Sequence, residues 1–146
     1  MILNNDSLVK SLSIEDIRAR EISNPEIFET SEFIDFFNLV TRPGLIGTDL
    51  GEMFQLVNKG TKLVLFKKKF IYGEEEPLSK SDIPDYNNVR ALVINLIGPK
   101  TMTLKYFNKL EDAIKKKLGE HIDINYQVLI DENLDCYEIK GLSISY

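Results

Sequence analysis

Asp49 and Glu52 are the side chains whose types and spacing come nearest to chemistry in this sequence. Two carboxylates three residues apart, just ahead of an amphipathic run, can position a water or a cation. They can also do a purely structural task. Asp49 as a helix cap and Glu52 as the third helical residue form a variant of the capping box, which satisfies the exposed amides of a first turn. Both readings place the pair at the mouth of a short helix over 50–59. Leu50, Met53, Phe54 and Val57 make its apolar stripe, and Gly60 suits the left-handed position past its end.

The rest of the sequence offers little that could react. It has no phosphate-cradling Gly-rich loop of either common type. With one His and one Cys it cannot build a zinc site, and neither a metal nor a cofactor is expected. His121 follows a predicted helix end, where a surface His is ordinary. Cys136 has no His near it in sequence and makes an unlikely nucleophile. The run Lys67-Lys68-Lys69 reads first as the guarded end of an edge strand, and second as a site for an anion or an acidic partner.

The chain that must position these residues has 146 of them, a length suited to one domain with a core of its own. Hydrophobic residues make up 43% and charged residues 28%, a globular and not a disordered balance. The net charge of -5 argues against a nucleic-acid binder, which needs a basic face for phosphates. All of the acidic excess lies in residues 1–60, with 10 acidic and 5 basic side chains; residues 61–146 carry 13 of each. No stretch approaches the roughly 20 apolar residues of a membrane span. The start MILNNDSLVK lacks the pattern of a secretory signal, so the expectation is a cytoplasmic protein.

Periodicity predicts the elements. Ser13 and Asp16 mark a helix start, and Asn24-Pro25 punctuates the chain. Phe33, Ile34, Phe37 and Val40 share a face of a helix ending near Val40, where Pro43-Gly44 stops it. Residues 61–66 read as a strand that 67–72 either extends or returns as a hairpin. Residues 73–88 are loop-like, and 89–97 (VRALVINLI) read as a central strand covered on at least one face. Residues 103–118 are a helix in which Leu104, Phe107, Leu110, Ile114 and Leu118 step by three and four, with a Glu111–Lys115 pair and Gly119 as its cap. In 122–130 the residues Ile122, Ile124, Tyr126, Val128 and Ile130 share a face. Residues 136–146 form a last strand whose apolar phase shifts across Lys140-Gly141, as a β-bulge would cause. The order helix, strand, strand, helix, strand, strand is that of an α+β fold with one sheet.

The stretch TRPGLIGTDLGEM, residues 41–53, resembles the FtsZ family of cell-division GTPases where its long central helix enters the C-terminal domain. GTKLVLF (60–66), ALVINLIGPKTMTL (91–104) and VLIDENLDCYEIKGLSIS (128–145) resemble successive parts of the same domain, so the resemblance covers about residues 33–146. It implies an FtsZ/tubulin C-terminal-like domain over 33–146 with a four-stranded mixed sheet packed with helices, and a helical N-terminal extension over 1–32. It also implies that the loop carrying Arg42, Gly44, Gly47, Asp49 and Glu52 faces a neighbouring subunit, where the family's two acidic residues activate hydrolysis of the neighbour's nucleotide. The family's Asn falls on Gly47, and its second acid is Glu52. On this reading the 146 residues hold no counterpart of the family's nucleotide-binding domain, and residues 73–88 lack the periodicity of the amphipathic helix found there in the family. Residues Ile14, Ile17, Ile27 and Phe28 are expected to replace that cover.

The reading that follows is a non-catalytic domain that meets FtsZ-type subunits, or associates with itself, and modulates filament assembly and cell division. An unrelated module for protein docking or small ligands is the alternative, and a small enzyme is a third. A fourth is one half of a split subunit, whose Phe33, Phe36, Phe37 and Leu39 would be open to solvent without their partner. Asp49→Ala should lower stability by about 1 kcal/mol through the lost cap, read from a urea midpoint. It should abolish filament effects only if the loop is functional.

Overall fold

The structure is a computed structural model that describes residues 26–27, 30–40, 50–71 and 77–146. The expected helical extension over 1–32 falls largely outside the described residues. Seven main elements follow in chain order: α1 (Ser31–Val40), α2 (Leu50–Lys59), β1 (Lys62–Phe70), β2 (Val89–Gly98), α3 (Leu104–Leu118), β3 (Asp123–Ile130) and β4 (Tyr137–Ser145). The strands form one mixed sheet in the order β1-β4-β2-β3. β2 and β3 are parallel, and β4 runs antiparallel to both of its neighbours. This is the α+β fold with a four-stranded mixed sheet expected from the sequence.

Local chemistry explains where the helices begin and end. The Phe33 N–H donates to Thr30 Oγ1 at 3.2 Å, so Thr30 caps α1. In α3 the Tyr106 N–H donates to Thr103 Oγ1 at 3.3 Å, and Gly119 closes the helix with a φ of 88°. Lys115 and Glu111 sit 3.6 Å apart one turn from each other, as their spacing predicts. No helix among the described residues is long and apolar enough to cross a membrane.

Helices cover both faces of the sheet. On one face α1 and α2 bury Phe33, Phe36, Phe37, Val40, Met53, Leu56 and Val57 against Leu63, Ala91, Val93, Leu142 and Ile144. On the other, α3 buries Phe107, Leu110, Ile114 and Leu118 against Leu92, Ile94, Leu96, Val128 and Ile139. β2 is therefore covered on both sides, and only Arg90, at the register shift between Val89 and Ala91, is exposed.

That double cover corrects several expectations. The phase shift across Lys140-Gly141 is no bulge: the β1–β4 register runs unbroken through Lys67↔Lys140 and Phe66↔Gly141. Tyr137 and Ile139 pack on the α3 side, and Leu142 and Ile144 pack on the α1 side, so apolar residues switch faces along a regular strand. β1 extends to Phe70 and does not turn back as a hairpin. Ile34 is 45% exposed, while Phe36 and Leu39 are buried in its place. Ile130 is 40% exposed at the strand end. The cover missing over residues 73–88 comes from that stretch itself, where Leu78 and Ile83 are buried on the α3 side. Ile27 packs on the opposite face with α1. Ile14, Ile17 and Phe28 lie outside the described residues.

Two substitutions test this packing. A Cβ on Gly141 would stand 2.3 Å from Cζ of the Phe66 ring, whose tip lies against the glycine. Gly141→Ala should cost on the order of 1–3 kcal/mol in a urea titration, because a buried ring has nowhere to go. The buried Tyr126 hydroxyl has no hydrogen-bond partner among the described residues; burial, and then the negative charge of Glu111, raise its pKa above the ordinary phenol value. Tyr126→Phe should leave stability unchanged or raise it by about 1 kcal/mol; a clear loss would reveal a partner for the hydroxyl.

Candidate functional site

β1, β2 and β3 all point the same way, because β4 is antiparallel to both β1 and β2. Their carboxyl ends therefore share one pole of the domain, together with the turns after β2 and β3. In open sheets with parallel strands this is where ligands and partners are usually met. α1 also ends there: Leu39 packs with Ile97 and Leu129, the last residues but one of β2 and β3, and with Leu134 in the turn beyond. The connection 41–49 thus leaves α1 at this pole.

Arg42, Gly44, Gly47 and Asp49 lie in that connection, outside the described residues. Of the sequence-predicted site, Glu52 alone is described. It is exposed in the first turn of α2, where the helix dipole favours a carboxylate. No distance between Asp49 and Glu52 enters the site on these residues.

What the structure adds is a cavity of about 720 Å³ between α1 and the strand ends, lined by Asp35, Asn38, Leu39, Ile97, Leu129, Asp131, Glu132, Asn133 and Lys140 among others. A second cavity of about 290 Å³ flanks α1 on its β1 side and shares Asp35 and Lys140 with the first. The floor beneath α1 is polar. Register places Lys67, Lys140, Asn95 and Gln127 in one row straight across all four strands. Asn95 is fully buried, and neither its amide nitrogen nor its oxygen finds a hydrogen-bond partner among the described residues. Sequence reasoning passed over it; the one polar residue in the middle of ALVINLI was the available signal.

The turn after β3 is tightly built. The Asp131 N–H donates to the Gly98 carbonyl at 2.9 Å, its carboxylate accepts from the Asn133 N–H at 3.0 Å, and the Leu134 N–H returns to the Asp131 carbonyl at 3.1 Å. Asp131 is thus occupied in holding the turn, leaving Glu132 exposed beside it. Leu104 and Ile130, at the start of α3 and the end of β3, are 51% and 40% exposed at the same pole. Hydrogen bonding, ion pairing and apolar contact are the chemistry this arrangement supplies.

The other candidates sit elsewhere. His121 is exposed beyond α3, with its ring edge-on to Tyr86. Cys136 is a half-buried free thiol. The lysine run divides: Lys68 pairs with Asp82 at 2.8 Å, and Lys67 and Lys69 project to solvent along the edge strand.

No protein-family model matches the chain, and no curated protein matches it by sequence. Solved structures do match. An FtsZ dimer from M. jannaschii aligns with a TM-score of 0.62 at 19% identity, over 84% of this chain and 37% of that one. A protofilament of TubZ from Bacillus thuringiensis serovar israelensis aligns with a TM-score of 0.58 at 14% identity, over 94% of this chain and 39% of that one. CetZ from Methanosaeta thermophila aligns at 0.54 and 12% identity, over 84% and 36%. The chain spans well under half the length of each of these proteins, and what it shares with them is an FtsZ/tubulin-like fold.

Proposed function

We propose that the chain is the counterpart of the C-terminal domain of FtsZ/tubulin-type proteins, and that it contacts filament subunits through the pole at the carboxyl ends of β1, β2 and β3 and modulates their assembly without hydrolysing a nucleotide itself. One observation carries this reading. The connection 41–49, whose sequence resembles the family's subunit-facing loop, leaves α1 at the pole where Leu104 and Ile130 stand open to solvent. Arg42, Gly44, Gly47, Asp49 and Glu52 are the contact residues this assigns, with Asp49 and Glu52 acting in trans on a neighbour's nucleotide.

The burial of α1 weighs against the split-subunit reading. Phe33, Phe36, Phe37 and Leu39 are between 1% and 9% exposed within this chain, which leaves no broad apolar helix face awaiting a nucleotide-binding half. The large cavity beside α1, with the buried amide of Asn95 in the floor nearby, favours a small-ligand module as the second reading.

The deciding experiment adds the protein to the FtsZ-type GTPase of the same organism and follows GTP hydrolysis and filament sedimentation together. A saturable change at substoichiometric ratios means action at filament ends. A change that needs equimolar protein means sequestration of subunits. No change in either signal overturns the filament reading. Leu104→Ser and Ile130→Ser should stay within about 0.5 kcal/mol of the parent stability, because both side chains are exposed. Each should weaken the filament effect, and an undiminished effect in both would place the contact elsewhere.

A further inference from the structure

We propose that residues 77–88 are a latched strap, a cover over the α3 side of the sheet that lifts as a unit while the sheet and helices stay folded, with the Asp82 carboxylate as its latch.

The strap exists because of topology. β1 ends at one pole, β2 begins at the other, and β4 lies between them, so the chain joining them must cross a face of the sheet. The equivalent crossing from β2 to β3 is the 15-residue helix α3, with its own hydrogen-bond ladder. The strap has only two short 3₁₀ turns, Lys80–Asp82 and Tyr86–Asn88. Among the described residues its backbone hydrogen bonds close within itself: Asp82 N–H to Ser79 at 3.0 Å, Ile83 N–H to Lys80 at 3.3 Å and Asn88 N–H to Asp85 at 3.0 Å. Such a segment is drawn from the low-stability end of a fold, because opening it breaks no ladder.

Side chains hold it down. Leu78 and Ile83 are its buried plugs. One carboxylate oxygen, Asp82 Oδ2, accepts from Lys68 Nζ at 2.8 Å, from the Ser79 N–H at 2.9 Å and from the Ser79 hydroxyl at 3.0 Å. A single atom thereby ties the strap to β1 and also builds its first turn. The Lys62–Asp85 pair is 3.8 Å long with both side chains over 40% exposed, so it fastens little. The far end is pinned by the Tyr86 hydroxyl on the Leu118 carbonyl. Just before it, Asp85 takes a left-handed φ of 52°, which marks the bend about which the rest of the strap lifts. Lifting uncovers Phe66 and the stacked pair Phe70–Tyr137 beside the edge strand.

The test is hydrogen exchange on the full chain, read by mass spectrometry, for the parent, Asp82→Ala and Lys68→Met. Asp82→Ala should speed exchange in the strap amides at least about tenfold, the effect of one charge-assisted hydrogen bond, with β4 and α3 exchanging as in the parent. Lys68→Met keeps the Ser79 bonds and should give part of that acceleration. Exchange that rises equally in β4 and α3 would mean that the strap opens only when everything does. Exchange unchanged in the strap of both variants would mean that Asp82 is no latch. Either result overturns the proposal.

Discussion

β4 is hydrogen-bonded on both edges and covered on both faces, and the rest of the domain is arranged around satisfying it. At Ile139 and from Gly141 to Ile144 the strand is buried, so its side chains there must be apolar, small or individually accommodated. Ile139, Leu142 and Ile144 meet the first condition. Gly141 meets the second by letting the tip of the Phe66 ring lie against it. Ser143 meets the third, donating its hydroxyl to the Val64 carbonyl at 3.2 Å. Insertion of β4 between β1 and β2 also forces the crossing that the strap makes. One topological choice thus accounts for a strand packed on both faces and for the irregular crossing over 77–88.

The two faces are dressed differently. The α3 side is a mainly apolar layer, closed at its β1 end by Leu78 and Ile83. The α1 side is apolar where Leu63, Val93 and Leu142 lie, and turns polar along the row Lys67, Lys140, Asn95 and Gln127. A buried amide with no partner is costly, and such groups persist in folds where something other than stability retains them. Cavities flank α1 where the floor changes character, which follows from a helix seated on a surface only half of which it can pack against.

Much of this was legible in the residues, for reasons that differ between elements. α3 declared itself by its three-and-four spacing, its Thr cap and its closing Gly, all local signals. β2 declared itself as a continuous apolar run. β4 misled because alternation is a sound guide only for a strand with one wet face; covered on both sides, it imitates a bulge. Ile34 misled for a related reason: α1 is apolar around most of its girth, so spacing alone could not say which side faces the sheet. Asn95 was missed because one polar residue in an apolar strand carries no periodic signal. The 41–49 motif was legible only by resemblance, since capping chemistry explains Asp49 and Glu52 equally well.

The pole and the strap draw on opposite faces of the sheet, although the Lys68–Asp82 latch stands level with Leu96, close to the carboxyl ends of β1 and β2. The pole is set by α1 on one face and by the Gly98–Asp131 bond between the turns after β2 and β3. The strap lies on the other face and is fastened chiefly to β1 and to the end of α3. Residues that act from loops need a rigid support to hold them in register, and a cover needs the opposite. The doubly covered β4 and β2 stand between α1 and the strap, so the two pack on opposite faces of the same strands.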